Sequence, residues 1–80
     1  MYYYVYILKS INYPDQKYVG CTVNLKLRLQ KHNQGGSPHT SKYKPWQLTT
    51  AVSFTDKHKA YAFEKYLKSH SGRAFAKKPF

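Results

Sequence analysis

Acidic side chains are the first place to look for chemistry in this sequence, because only three occur among 80 residues. Asp15 lies in a turn-like segment and Asp56 at the start of a predicted helix, where each has an ordinary structural role. Glu64, the only glutamate, falls within that helix. One carboxylate, with water and substrate phosphates, is a common way to hold Mg²⁺. The alternative is a weak surface ion pair with Lys68, which is typical of helical glutamates.

A basic segment from Leu25 to Lys31 allows two interpretations. Its alternating leucines fit a half-buried strand, and the same residues also form one face of a helix. Because the segment holds only Leu, Lys, Arg and Gln, we predict a helix. Thr22 or Asn24 can cap its start, and Asn33 before two glycines can end it. One face of this helix carries Leu25, Arg28, Leu29 and His32.

The charge of the chain indicates a polyanionic partner. Fourteen Lys and Arg residues give a net charge of +11. Nucleic acid is the commonest partner of such a surface. A membrane fits less well, because no predicted helix combines a basic face with a wide apolar one and no apolar run approaches the ~20 residues of a bilayer span. We therefore expect nucleic acid and no membrane; the sequence names no protein partner.

A single cysteine, Cys21, rules out a disulfide within the chain and favours a reducing, cytoplasmic setting. The first residues lack the basic and small-residue features of a secretion signal. The four histidines and Cys21 show no paired spacing typical of zinc ligands. We expect Cys21 to serve as a small buried apolar residue.

The order of hydrophobic segments predicts one α+β domain over residues 1–80, in which helices flank a small antiparallel or mixed sheet of three strands. Aromatic and β-branched residues mark strands, and the second helix is capped by Asp56 and extends to about Ser69. Together with the helix from Leu25 to Lys31 they give the order β-β-α-β-α. The predicted strands are Tyr2–Leu8, Lys17–Cys21 and Gln47–Phe54.

Two segments are predicted to bind nucleic acid outside any catalytic centre. The first is a long loop from Asn33 to Trp46, and the second is a basic C-terminal tail from about residue 71. Charge interleaved with rings suits phosphate contacts and base stacking, although the rings could equally pack on the sheet edge. The residues concerned are Lys42, Tyr43, Lys44 and Trp46 in the loop and Arg73, Lys77 and Lys78 in the tail.

Several short motifs, in order, resemble the signature of the GIY-YIG nucleases. The resemblance spans nearly the whole chain and is greatest for small members with no fused domain. Tyr4 stands where the first motif has glycine, and we assign no asparagine beyond the glutamate. The matching motifs are Tyr4-Val5-Tyr6-Ile7-Leu8, Tyr18-Val19-Gly20, Asn24-Leu25 and Arg28, followed by His32 and Glu64.

This resemblance implies a catalytic set of Tyr6, Tyr18, Arg28 and His32, with Glu64 as ligand of one Mg²⁺ or Mn²⁺ ion. The guanidinium would bind the phosphate through its fork of donors. A phenol is a poor base at pH 7, so we expect the nearby guanidinium and metal to lower the pKa of the tyrosine that takes a proton from water, with the imidazole assisting. Which group is the general base stays open.

The implied function is divalent-metal-dependent hydrolysis of phosphodiester bonds by an endonuclease, with DNA, including single-stranded or structured DNA, as substrate. The alternative is a nucleic-acid-binding module that keeps the same scaffold and charge without catalysis. Both alternatives predict salt-sensitive binding, so only cleavage separates them.

Overall fold

The fold is built on a three-stranded antiparallel sheet whose first strand lies between the other two. A computed structural model describes residues 1–69 of the chain. Both outer strands pair antiparallel with the first, in the order β2-β1-β3. The predicted α+β class and β-β-α-β-α order are confirmed, with one additional short helix. The elements are β1 (Tyr3–Ser10), β2 (Lys17–Thr22), α1 (Leu25–Asn33), α2 (Pro38–Ser41), β3 (Trp46–Phe54) and α3 (Lys57–Lys68).

Strand β1 is buried on both faces, which explains its run of aromatic and aliphatic residues. Successive side chains of a strand point to opposite faces. Val5 and Ile7 therefore face α3, where they pack with Ala60 and Leu67. The next residues along the strand point the other way, toward α1 and the start of β3. That second cluster consists of Tyr6, Leu8 and Trp46, with Tyr18, Leu25, Leu29 and Tyr43 packed against it.

The two longer helices begin at side-chain caps. Asn24 is the cap of α1, where its Oδ1 accepts from the backbone N–H of Leu27 at 3.1 Å. Thr22, the other candidate, instead accepts from the N–H of Asn24. Asp56 caps α3 as predicted, and two backbone N–H donors hold the pKa of its carboxyl below the usual value. Such caps satisfy backbone donors that have no partner inside the helix.

The segment predicted as a long loop is more regular than its glycines and prolines indicated. Pro38 begins α2, consistent with the tolerance of proline in a first helical turn. Asn33 joins the ends of the segment: its Oδ1 accepts from the backbone N–H of Trp46 and its Nδ2 donates to the Trp46 carbonyl at 3.1 Å. β3 therefore begins at Trp46, one residue earlier than predicted.

Gly20 of β2 lies directly opposite Tyr6 of β1 in the sheet register. The Tyr6 ring crosses above it, so that a Cβ at Gly20 would overlap the hydroxyl and ring of that tyrosine. This close approach, rather than a positive φ, is what requires glycine at this position.

We predict that Gly20→Ala destabilises the fold by roughly 1–3 kcal/mol, the usual cost of overpacking a core, because the buried Tyr6 ring has to move. Gly36→Ala is the matched control, since the added methyl there meets mainly the side chain of Lys31, an exposed residue. Chemical denaturation of both variants measures the difference. Equal losses of stability in the two variants would contradict the close packing of Tyr6 on Gly20.

Candidate active site

Three of the four predicted catalytic residues form one aromatic cluster between the sheet and α1. The rings of Tyr18 and His32 have centroids 4.8 Å apart, and Tyr6 lies 6.1 Å from His32 and 6.3 Å from Tyr18. Tyr6 pairs with Gly20 and Tyr18 pairs with Leu8, so the two tyrosines are diagonal neighbours on one face of the sheet. The sheet register therefore places two phenols beside one imidazole.

The predicted face of α1 brings His32 to this cluster. Leu25, Arg28 and Leu29 are half-buried on that face, and His32 is only 2 % exposed. His32 is therefore not a surface helix residue, because its ring lies between α1, α2 and the sheet. Burial of a polar ring requires partners for its nitrogen atoms.

Both nitrogens of His32 have such partners. Nε2 lies 3.1 Å from the hydroxyl of Tyr6, and Nδ1 lies 2.8 Å from the hydroxyl of Thr40 in α2. Thr40 is itself 1 % exposed, and its carbonyl accepts from the indole Nε1–H of Trp46 at 2.8 Å. Thr40 carried no signal in the sequence, where it lay in a predicted loop.

Burial controls the protonation of this pair. It raises the pKa of Tyr6 to about 12, assisted by Tyr18, whereas the charge and hydrogen bonding of Arg28 act in the opposite direction. Burial also lowers the pKa of His32, together with Arg28 and Lys31. The charge of Arg28 lowers the pKa of Tyr6 as expected, but desolvation of the phenolate is the larger effect and raises it overall. The part expected of a metal stays a prediction. At pH 7 the phenol and the imidazole are both neutral.

Arg28 and Glu64 lie on different helices. Arg28 belongs to α1, whereas Glu64 belongs to α3, which packs on the opposite side of the sheet. Burial raises the pKa values of Tyr6 in β1 and Cys21 in β2, and the charge of Glu64 acts in the same direction, whereas that of Arg28 lowers both. The guanidinium and the carboxylate therefore come from opposite sides of the sheet. Cys21 packs against the α3 core but is half-buried rather than buried, which differs from the expectation.

Comparison with known proteins agrees with this arrangement. A family model described as the GIY-YIG catalytic domain matches residues 2–78. The chain belongs to the GIY-YIG family. This confirms the resemblance that the tyrosine motifs, Arg28, His32 and Glu64 indicated.

Related GIY-YIG sequences are of two kinds. The "Structure-specific endonuclease subunit SLX1" of Debaryomyces hansenii is 37% identical over 73 residues, which are 82% of this chain and 21% of that protein. The "UPF0213 protein in ldhD 5'region" of Pediococcus acidilactici is 38% identical over 72 residues, or 86% of this chain and 71% of that protein. The chain therefore spans only about a fifth of the SLX1 protein but most of the UPF0213 protein.

A solved structure of a second small relative shares the fold. The solution structure of UPF0213 protein BH0048 from Bacillus halodurans is 29% identical, with a TM-score of 0.57 over 95% of this chain and 82% of that one. The architecture of this GIY-YIG domain is thus also that of a small relative.

Glu64 is the residue that the sequence predicts as the metal ligand. Its carboxylate forms an ion pair with Lys68 at 2.9 Å, as the simpler interpretation of the sequence expected. Residues 1–69 contain no group of three His, Cys, Asp or Glu side chains that could hold a metal. One partly exposed carboxylate therefore fits only a cation whose other ligands come from water and substrate phosphates, as is usual for Mg²⁺.

The residues predicted to bind nucleic acid differ in exposure. Lys42 and Lys44 are exposed, and the Lys42 Nζ lies 5.6 Å from the centroid of the half-buried Tyr43 ring. The prediction that Trp46 stacks on bases is corrected: its indole is 4 % exposed and packs with Tyr6 in the core. The predicted tail contacts Arg73, Lys77 and Lys78 lie outside the described residues.

No helix within residues 1–69 is long and apolar enough to cross a bilayer.

The lowered pKa of His32 predicts a specific pH dependence of folding. In the unfolded chain the imidazole takes up a proton near pH 6.5, whereas in the folded chain its pKa is lower. The free energy of unfolding therefore falls as pH drops below 6.5. The slope reaches at most about 1.4 kcal/mol per pH unit for one group. His32→Gln should flatten this dependence between pH 7 and 5 in chemical denaturation. His39→Gln, at an exposed position of α2, is the control; equal slopes for wild type and His32→Gln would contradict the assignment.

Proposed function

We propose that this chain is a divalent-metal-dependent endonuclease that hydrolyses phosphodiester bonds in DNA. The observation that carries the proposal is the buried contact of the Tyr6 hydroxyl with His32, beside Tyr18 and with the charge of Arg28 acting on Tyr6, in a chain of net charge +11. The match to the GIY-YIG catalytic domain supports it. Such a site holds a phosphate, a proton acceptor and a cation ligand together, which are the parts that phosphodiester hydrolysis requires.

Proton transfer in this site runs through Tyr6 to His32. The phenol is too weak an acid to be ionised at pH 7, but its hydroxyl contacts a neutral imidazole nitrogen. As the attacking water gives a proton to the Tyr6 oxygen, the Tyr6 proton moves to Nε2 of His32. The phenol therefore remains neutral throughout and the imidazole becomes the cation, which avoids a buried phenolate. Tyr18, half-buried beside His32, lines the same site.

Arg28 supplies donors to the phosphate that is cleaved. Its planar guanidinium can bind two phosphate oxygens at once, and its position near Tyr6 brings the phosphorus within reach of the activated water. Because the guanidinium remains charged at every relevant pH, it stabilises the negative charge that develops on the phosphate oxygens.

Glu64 is the residue that would hold Mg²⁺ or Mn²⁺, once its carboxylate leaves Lys68. When bound, such an ion supplies positive charge to the phosphate and to the leaving oxygen. Without substrate, the Glu64 carboxylate is paired with Lys68. A surface ion pair of this kind contributes little free energy, so replacing Lys68 by a cation costs little.

The names of the relatives bear on the substrate. The SLX1 proteins are called structure-specific endonuclease subunits, and we propose that structured DNA is also a substrate of this chain. Because those names contain the word "subunit", we further propose that this chain binds a protein partner, although it corresponds to only about a fifth of the Debaryomyces protein. A cytoplasmic setting remains our proposal from the single cysteine.

The cation role of Glu64 can be separated from its ion-pair role. We expect Glu64→Gln to reduce Mg²⁺-dependent cleavage at least a hundredfold, about 2.7 kcal/mol of transition-state stabilisation, while DNA affinity stays unchanged or rises. Lys68→Ala is the matched control: it breaks the same ion pair and leaves the carboxylate free. Single-turnover cleavage of structured and single-stranded DNA, with and without EDTA, measures both variants.

Two outcomes of that assay contradict the proposal. Near-wild-type cleavage by Glu64→Gln would reduce Glu64 to a partner of Lys68. Salt-sensitive DNA binding by a wild-type chain that cleaves no substrate in Mg²⁺ or Mn²⁺ would support the alternative, a non-catalytic binding module.

The segment after α2 is proposed to bind the DNA backbone outside the site. Lys42→Ala with Lys44→Ala should flatten the plot of log binding constant against log salt by up to about 0.9 for each duplex phosphate that is no longer neutralised. A second variant lacking Arg73, Lys77 and Lys78 tests the tail in the same way. Lys57→Ala with Lys59→Ala removes the same charge as the loop pair from α3 and should leave the slope unchanged. Equal slope changes in the loop pair and the α3 pair would show that only total charge matters.

A further inference from the structure

The hydrogen bonds behind Tyr6 continue past His32 and end inside α2. They run from the Tyr6 hydroxyl to Nε2 of His32 at 3.1 Å, and from Nδ1 to Thr40 Oγ1 at 2.8 Å. The Thr40 hydroxyl in turn lies 3.4 Å from the carbonyl oxygen of Ser37. All three members, Tyr6, His32 and Thr40, are at most 2 % exposed. The family match and the sequence motifs assign no role to Thr40.

The donors and acceptors in this series of hydrogen bonds determine which way its protons point. A buried tyrosine hydroxyl has one proton, which must be donated to an acceptor. The Tyr6 proton then needs an acceptor of its own, and within residues 1–69 the structure offers the Nε2 atom of His32. An accepting Nε2 carries no proton, so a neutral imidazole must carry its proton on Nδ1.

Thr40 is placed to accept that Nδ1 proton. Its own hydroxyl proton is directed to the Ser37 carbonyl, which leaves the Oγ1 lone pairs free to face the imidazole. The opposite arrangement, with Nε2–H donating to Tyr6, leaves the buried phenol proton without that acceptor. A buried donor without an acceptor costs roughly 1–3 kcal/mol, which is enough to decide between the two tautomers.

We infer that Thr40 is a positioning residue, which holds His32 in the Nδ1–H tautomer so that Nε2 can accept the proton of Tyr6. Its effect on cleavage rests on the proposed nuclease function, whereas the tautomer itself does not. The backbone of Thr40 is fixed for this task by the indole of Trp46, which donates to the Thr40 carbonyl at 2.8 Å. Asn33 in turn holds the backbone of Trp46, which anchors α2 to α1 and β3.

The tautomer can be read directly from long-range ¹H–¹⁵N correlation spectra of the imidazole in the labelled full chain at pH 7.5. We expect the wild type to show a protonated Nδ1 and an unprotonated Nε2 for His32. Thr40→Val, which keeps the shape and removes the hydroxyl, should shift the ring toward Nε2–H. Cleavage of DNA in Mg²⁺ should fall by roughly ten- to a hundredfold, the usual cost of losing a partner that orients a functional histidine.

Two further variants separate tautomer control from simple folding effects. Thr40→Ser keeps the hydroxyl and should retain the wild-type spectrum and rate to within a fewfold. Ser41→Ala removes the neighbouring α2 hydroxyl, which donates to the Pro38 carbonyl and should leave both readouts unchanged. Thermal unfolding of each variant confirms that it is folded.

A wild-type imidazole protonated on Nε2 would overturn the inference, and so would a folded Thr40→Val chain with the wild-type spectrum. The wild-type spectrum decides the matter even where Thr40→Val fails to fold. A wild type that shows the Nδ1–H tautomer and cleaves no DNA would refute the proposed nuclease function and leave the role of Thr40 in setting the tautomer intact.

Discussion

The contact on which the site depends is the Tyr6 side chain packed over Gly20 with its hydroxyl on His32. This contact needs a strand position without a side chain, a helix that carries an imidazole, and burial of both side chains. The same burial raises the pKa of the phenol and lowers that of the imidazole. Packing and acid–base chemistry are therefore set by one arrangement, because desolvation disfavours either charged form.

Edge strand β2 organises the charged part of the site. Arg28 from one side of the sheet and Glu64 from the other both influence the pKa values of Tyr6 and Cys21. In a chain with 14 basic and three acidic residues, a carboxylate is an exception to the positive charge. In the proposed function, the positive charge attracts the polyanion and the Glu64 carboxylate holds a hard cation.

Most of the fold was predictable because its signals are local. Helix formers and caps such as Asn24 and Asp56 act within a few residues of themselves, and the face of α1 that carries His32 follows from helical periodicity. The role of Thr40 depends instead on side-chain contacts between neighbouring elements, α1, α2 and β3, and the burial of Trp46 depends on packing against Tyr6 of β1. The effect of burial on the Tyr6 pKa was not predictable either, because charge neighbours can be inferred from motifs, whereas desolvation depends on three-dimensional packing.

The central claim is that Glu64 and Arg28 serve one phosphodiester across β2, and locating the cation tests it most directly. The experiment is a crystal structure of the Tyr6→Phe variant with a DNA oligonucleotide and Mn²⁺, with the ion located by its anomalous scattering. The account predicts a peak in contact with a Glu64 carboxylate oxygen and a phosphate oxygen, the phosphate bound by Arg28, and Lys68 released. A Glu64 still paired with Lys68, with Mn²⁺ elsewhere on the bound DNA, would contradict it.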